Sequence, residues 1–162
     1  IVRTGISEWS VLYLIQAKEY SSLWASGAVS IVDIGGFCGT LAAGWSSDHF
    51  FKARRGPVNA IFALLICFFL LVFWLMPGGY PLLDTAVLFL LGFSIFGPQM
   101  LIGITAAELS HKKAAATSTG FVGWMAYAGA AVAWSTLGKI TEVFGWNAYF
   151  YFLIGCSLCG IL

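Results

Sequence analysis

Charge is scarce in this sequence. Its 162 residues include eight Lys or Arg, seven Asp or Glu and two His, and charged residues make up 9% of the chain, against about 25% in a typical soluble domain. So few charges cannot cover a water-facing surface. The two signs nearly cancel, for a net charge of +1, and a chain without a positive field is not built to hold nucleic acid. Cysteine is sparse as well: Cys38, Cys67, Cys156 and Cys159 all lie within apolar runs, and no disulfide framework is implied. Cys156 and Cys159 form a C-x-x-C, but no second Cys/His pair accompanies it, so the four thiols read as small apolar packing groups. The sequence also lacks a nucleophile with its base, a cluster of metal ligands and a glycine-rich phosphate loop opening a soluble helix. No enzyme activity, cofactor or metal is therefore expected. Absent too is the pattern of charge, apolar run and small-residue cleavage site that marks a signal peptide. The chain opens on Ile1-Val2-Arg3 and stops at Gly160-Ile161-Leu162 inside an apolar run, which reads as a piece of a longer polypeptide.

What is present is apolar. Ala, Val, Ile, Leu, Met, Phe, Trp, Tyr and Cys make up 60% of the residues, more than a soluble domain of this size can bury. The chain reads as an all-α integral membrane protein. Stretches of about 20 apolar residues define six segments: one ending near Ile15 and cut at its start, then Leu23–Trp45, Pro57–Met76, Leu82–Thr105, Ala114–Gly138 and Trp146–Leu162, the last cut at its end. Gly56-Pro57 and Pro77-Gly78-Gly79-Tyr80-Pro81 supply breakers between them. Backbone groups in lipid must be satisfied internally, so the spans are expected to be helices. Alternate loops collect the basic residues. Lys52, Arg54, Arg55, Lys112 and Lys113 fall on one side, and only Lys18 and Lys139 on the other. The positive-inside rule places the first set in the cytoplasm. Trp45, Trp74, Tyr80, Trp146 and Tyr149 suit an interfacial aromatic belt or lipid-facing packing.

Two charges fall within the spans. Arg3 lies about 15 residues, or roughly 22 Å, from the loop at Lys18, and Asp33 about 11 residues, or roughly 16 Å, from the same face. Both depths fall near the middle of a hydrocarbon core about 30 Å thick. Such charges are tolerated when they face a polar cavity or each other. The pair is open to two readings: a salt bridge that fixes packing, or an anion site in which Arg3 holds a phosphate and Asp33 is its partner when the site is empty. The planar guanidinium suits phosphate because it offers two parallel N–H donors. Gly35, Gly39 and Ala43 on the second segment, and Gly120, Gly123, Ala126, Gly129 and Ala133 on the fifth, have the spacing for close helix packing. Tyr127, on that fifth segment, reads as a ligand hydroxyl or a packing aromatic. In Phe96-Gly97-Pro98-Gln99, Pro98 frees a backbone carbonyl, and Gln99 beside it is a candidate ligand contact. The loop from Gly44 to Gly56 carries Asp48, Arg54 and Arg55, which read either as a positive-inside anchor or as a gate latch with the arginines pairing across a seam. His49 and His111 read as solvated.

Several motifs in order carry a resemblance. They are Arg3-Thr4-Gly5-Ile6-Ser7-Glu8-Trp9-Ser10, Gly44-Trp45-Ser46-Ser47-Asp48, Phe96-Gly97-Pro98-Gln99-Met100-Leu101-Ile102-Gly103, and Lys112-Lys113-Ala114-Ala115 leading to Thr119-Gly120-Phe121. Over nearly all its length the sequence resembles the carboxy-terminal half of the organophosphate:phosphate antiporters of the major facilitator superfamily. The resemblance implies that residues 1–162 form the six-transmembrane-helix half of a twelve-helix fold, with the amino-terminal half of the same chain as partner. It implies a location in the inner membrane. It also implies exchange of a sugar phosphate for inorganic phosphate by alternating access. Arg3 matches the family's phosphate-contacting arginine, and a second arginine comes from the amino-terminal half. Asp33 falls where relatives commonly carry Glu, and Tyr127 matches a tyrosine near the site. Phe96, a further candidate substrate contact, stands where glycerol-phosphate members tend to have Tyr, which leans toward the hexose-phosphate branch. Some hexose-phosphate carriers have an Asp and a Lys in the fifth span, whereas Gly129–Trp134 has neither. Transporter-like receptors of external hexose phosphate share these motifs, and a half-size protein that dimerises into a pore is a further alternative.

Overall fold

With no water to bond along most of its length, each apolar segment closes its own backbone hydrogen bonds, and helix follows helix. The computed structural model describes residues 1–52, 54–111 and 113–160. Helix α1 runs through Val2–Thr4, a π-helical stretch Gly5–Trp9, and Ser10–Gln16. It is followed by α2 (Ser22–His49), α3 (Arg55–Leu75) and α4 (Pro81–Leu109). A last helical stretch, Ala115–Cys159, breaks at Gly145 into α5, residues 115–144, and α6, residues 146–159. The described residues contain no strand. The fold is all-α, and the six helices of the described residues fall on the six apolar segments. By length and composition α2, α3 and α4 can each cross a bilayer, as in a multi-pass membrane protein.

Local chemistry sets the ends. Ser21 caps α2, its hydroxyl accepting the Trp24 backbone N–H at 3.4 Å, which satisfies one of the donors left over at a helix start. Pro57 and Pro81 stand in the first turns of α3 and α4, where a missing N–H costs nothing. The break between α5 and α6 depends on one residue. Gly145 takes φ 76° and ψ −176°, a backbone region almost confined to glycine. This differs from the loop expected between Gly138 and Trp146. Helix α5 instead continues through Lys139, which is exposed on the helix surface.

The core gathers Leu14 of α1, Leu70 and Phe73 of α3, Leu88 and Leu91 of α4, and Phe150 and Leu153 of α6. Helices α2 and α4 meet backbone to backbone. A Cβ on Gly35 would fall 2.1 Å from the Phe89 carbonyl oxygen, one on Gly39 2.0 Å from that of Phe93, and one on Gly92 2.0 Å from that of Val32. Only glycine fits at these crossings. The row expected on the second segment therefore does pack, and Gly92 supplies its counterpart from α4. The fifth segment differs from expectation: a Cβ on Gly120, Gly123 or Gly129 would have nothing within 4 Å. Those glycines face open space.

The described residues also revise the placement of the cations. Lys18 is no solvated loop residue: it is buried and ion-paired with Asp84 in the first turn of α4, the two side chains being 2% and 0% exposed. The Tyr20 hydroxyl donates to the other Asp84 oxygen at 2.7 Å and accepts the Gly79 N–H at 3.0 Å. Desolvation first, and then the bond to Asp84, raises the Tyr20 hydroxyl above the usual tyrosine pKa. The carboxylate thus has two donors, which is what a buried charge requires. Lys112 lies outside the described residues.

Candidate functional site

Helix α1 reaches the middle of the bundle with a fault in its winding. Between Gly5 and Trp9 the hydrogen bonds close i→i+5, as in the single π turns often found at functional sites. Helix α6 holds this stretch in place. Buried Tyr149 donates to the Gly5 carbonyl at 2.8 Å, and Leu153 packs where a Gly5 Cβ would lie, 2.8 Å from its Cδ2. Tyr149 is therefore an internal strut, not the interfacial aromatic read from its position. The wider turn brings Glu8, five residues beyond Arg3, to the same wall as Arg3, Thr4 and Ser7.

That wall bounds a cavity of about 850 Å³. Helix α1 contributes Arg3, Thr4, Ser7 and Glu8, α2 contributes Asp33, and α4 contributes Ile95, Pro98 and Gln99. From α5 come Gly123, Ala126, Tyr127 and Trp134. Four residues read from the sequence as site candidates, Arg3, Asp33, Gln99 and Tyr127, thus share one cavity although they come from four helices. The open glycines of α5 are explained in part, since Gly123 lines this space. Phe96 does not line it. Its ring lies behind Arg3, whose Cζ stands 4.7 Å from the ring centroid.

Among the described residues, the charged side chains of the wall are one guanidinium and two carboxylates. Arg3 and Asp33 do not form an ion pair within 4.0 Å; the ion pairs among the described residues are Lys18–Asp84 and Arg55–Glu108. The donors of Arg3 are therefore not consumed by Asp33. Thr4, Ser7 and Glu8 were not singled out from the sequence. Ser7 lies at i+4 from Arg3, so helical spacing alone would have placed it on the same face. Glu8 stands in the same relation to Thr4, another wall residue.

The Gly44–Gly56 stretch lies away from the cavity. Asp48 is exposed in the last turn of α2, and Arg54 is exposed just before α3; Ala53 between them lies outside the described residues. Arg55 opens α3, and its Nε and Nη2 donate to the two Glu108 carboxylate oxygens at 3.0 and 2.6 Å. That fork ties the start of α3 to the end of α4. The sequence left two readings, an anchor or a latch with both arginines pairing across a seam; among the described residues Arg55 pairs, with Glu108, and Arg54 forms no ion pair.

A bundle of apolar helices around a cavity lined by charged side chains suits a multi-pass membrane protein with a polar site. Comparison with known proteins is specific. The chain is 48% identical over 163 residues to a probable hexose phosphate transport protein of Chlamydia muridarum, covering 100% of this chain and 36% of that protein. It is 45% identical over 150 residues to the membrane sensor protein UhpC of Salmonella typhimurium, covering 93% of this chain and 34% of that protein. It is also 39% identical over 162 residues to the glycerol-3-phosphate transporter of Bacillus subtilis, covering 99% and 36%. The chain thus spans about a third of the length of these curated relatives. No protein-family model matches it. These similarities are consistent with the organophosphate:phosphate antiporter family of the major facilitator superfamily.

Proposed function

We propose that residues 1–162 are the carboxy-terminal half of a secondary antiporter that exchanges a sugar phosphate, hexose 6-phosphate in the first instance, for inorganic phosphate. The observation that carries this reading is the placement of Arg3. It stands in a cavity walled by α1, α2, α4 and α5, with its donors free of Asp33. Its fork is the group best matched to a phosphoryl dianion. Asp33 and Glu8 make the cavity wall more negative than positive, so a bound dianion calls for a further cation from outside this chain segment. The amino-terminal half of the same chain is the source in this reading. The two halves then rock about the shared site, exposing it to each side in turn. Gln99 and Tyr127 offer an amide and a hydroxyl to the sugar. Asp48, Arg54 and Arg55 act at the cytoplasmic seam of an inner-membrane protein, where the Arg55–Glu108 fork holds α3 and α4 together.

A second reading draws on the 45% identity to a membrane sensor protein. In it, the same cavity binds external hexose phosphate without carrying it across. One experiment separates the two. The full-length chain is reconstituted in liposomes loaded with inorganic phosphate, and uptake of labelled glucose 6-phosphate and glycerol 3-phosphate is followed. Uptake of one that depends on internal phosphate establishes antiport and the substrate branch. Binding without uptake of either establishes the sensor. Arg3→Lys keeps the charge and loses the fork, so exchange falls to near background while the protein stays folded. Normal exchange by that variant refutes the role given to Arg3.

A further inference from the structure

Neither Phe96 nor Gly36 lines the cavity, yet the Phe96 ring stands against both Arg3 and Gly36. The Arg3 Cζ stands 4.7 Å from the centroid of the Phe96 ring. Against the ring packs Gly36 of α2, where a Cβ would come within 2.6 Å of the ring Cγ and 2.7 Å of Cδ2. Residues of three helices thus meet at one ring: bare backbone on α2, the ring on α4 and the guanidinium on α1.

We propose that Phe96 is a positioning residue, a cation–π platform that holds the Arg3 guanidinium toward the cavity, and that Gly36 provides the clearance that sets where the ring sits. The proposal rests on the reading of Arg3 as the phosphate-binding group. A ring attracts a cation through its negative face. It takes none of the five N–H donors, which all point outward in the plane of the guanidinium. A carboxylate partner would occupy two of them and compete with the incoming phosphate. The platform therefore holds the charge while leaving its binding edge free, and it restricts a long, flexible side chain before the anion arrives. Because Arg3 meets the phosphoryl group that all these ligands share, Phe96 governs inorganic phosphate and sugar phosphate alike. It does not choose the sugar, which departs from its reading as a substrate contact that separates the hexose and glycerol branches.

The test uses the full-length protein, purified in detergent, and calorimetric binding of inorganic phosphate and of glucose 6-phosphate. Binding is read directly, so the test is independent of whether the protein transports or senses. Phe96→Leu keeps an apolar group and removes the face; Kd is expected to rise about tenfold for both ligands, with the thermal midpoint little changed. Phe96→Tyr restores both affinities and leaves their ratio as in the parent. Gly36→Ala keeps the ring but displaces it, and is expected to weaken both ligands together. This second variant carries the test if Phe96→Leu fails to fold. An unchanged Kd in Phe96→Leu, or in Gly36→Ala where that variant stands in, overturns the proposal. So does weakening of glucose 6-phosphate alone. If Arg3→Lys binds both ligands normally, the reading of Arg3 itself is at fault and the platform falls with it. If Arg3→Lys abolishes binding while Phe96→Leu does not alter it, only the platform falls.

Discussion

Lys18 and Asp84, 66 positions apart, meet in a buried ion pair that joins the turn after α1 to the first turn of α4. The Asp84 carboxylate sits where the positive end of the helix dipole favours it, and Tyr20 supplies its second donor. Helix α1 carries Arg3 and helix α4 carries Phe96 and Gln99. The pair therefore ties together two of the elements that build the cavity wall.

Removing one partner leaves the other charge buried and alone. Asp84→Ala is expected to destabilise the protein by about 3–5 kcal/mol. The double variant Lys18→Met with Asp84→Leu removes both charges and is expected to recover most of that loss, since a buried pair can be replaced by apolar groups at little cost. Thermal unfolding of the purified variants in detergent distinguishes the two. Equal losses in the single and double variants would mean the pair's geometry, not its charge balance, is what matters.

Gly92 and Gly123 are a matched contrast. A Cβ on Gly92 lies 2.0 Å from the Val32 carbonyl oxygen, whereas one on Gly123 meets nothing within 4 Å. Gly92→Ala must push α2 and α4 apart and is expected to cost about 1–3 kcal/mol. Gly123→Ala is expected to leave stability within about 0.5 kcal/mol. Melting temperatures measured side by side decide the matter, and similar shifts in both would argue against backbone contact at Gly92.

Asp33 shares the cavity with Arg3 but is not bonded to it. Neutralising a carboxylate in the wall makes the site less repulsive to an anion. Asp33→Asn is expected to tighten inorganic phosphate binding by about two- to tenfold, the range expected for removing a unit charge at intermediate distance and dielectric. Phosphate titration at fixed low salt checks this, and weakened binding would indicate that Asp33 holds the ligand or the wall directly.

Much of the site could be read from one dimension because membranes make charge expensive. Arg3 and Asp33 stood out as charges within apolar segments, and Gln99 stood out beside Pro98. The four helices then brought these and Tyr127 to one cavity. Phe96 was identified but not its place, since nothing in spacing distinguishes a ring that touches a ligand from one that supports an arginine. Not legible in the sequence was the π turn over Gly5–Trp9. That turn is held by Tyr149, a residue 144 positions from its Gly5 acceptor, and no local pattern announces such a partner. Lys18 was misplaced for the same reason: its neighbours in sequence resemble an exposed turn, and Asp84 is remote.

Composition and hydrophobic run length alone determined that this is a helical membrane protein of six segments. In lipid the backbone has no partner but itself, so an apolar run of sufficient length has one outcome. Which glycines touch a neighbour was decided by the fold: Gly35, Gly39 and Gly92 do, while Gly120, Gly123 and Gly129 do not. Gly35 and Gly39, like Gly120, Gly123 and Gly129, lie in rows of small residues suited to close packing, and it is the position of the facing helix that separates them. The same holds for the charges. A cation's depth follows from its place along a helix, but whether it meets a carboxylate, as Lys18 does, or an aromatic face, as Arg3 does, depends on side chains brought from other helices.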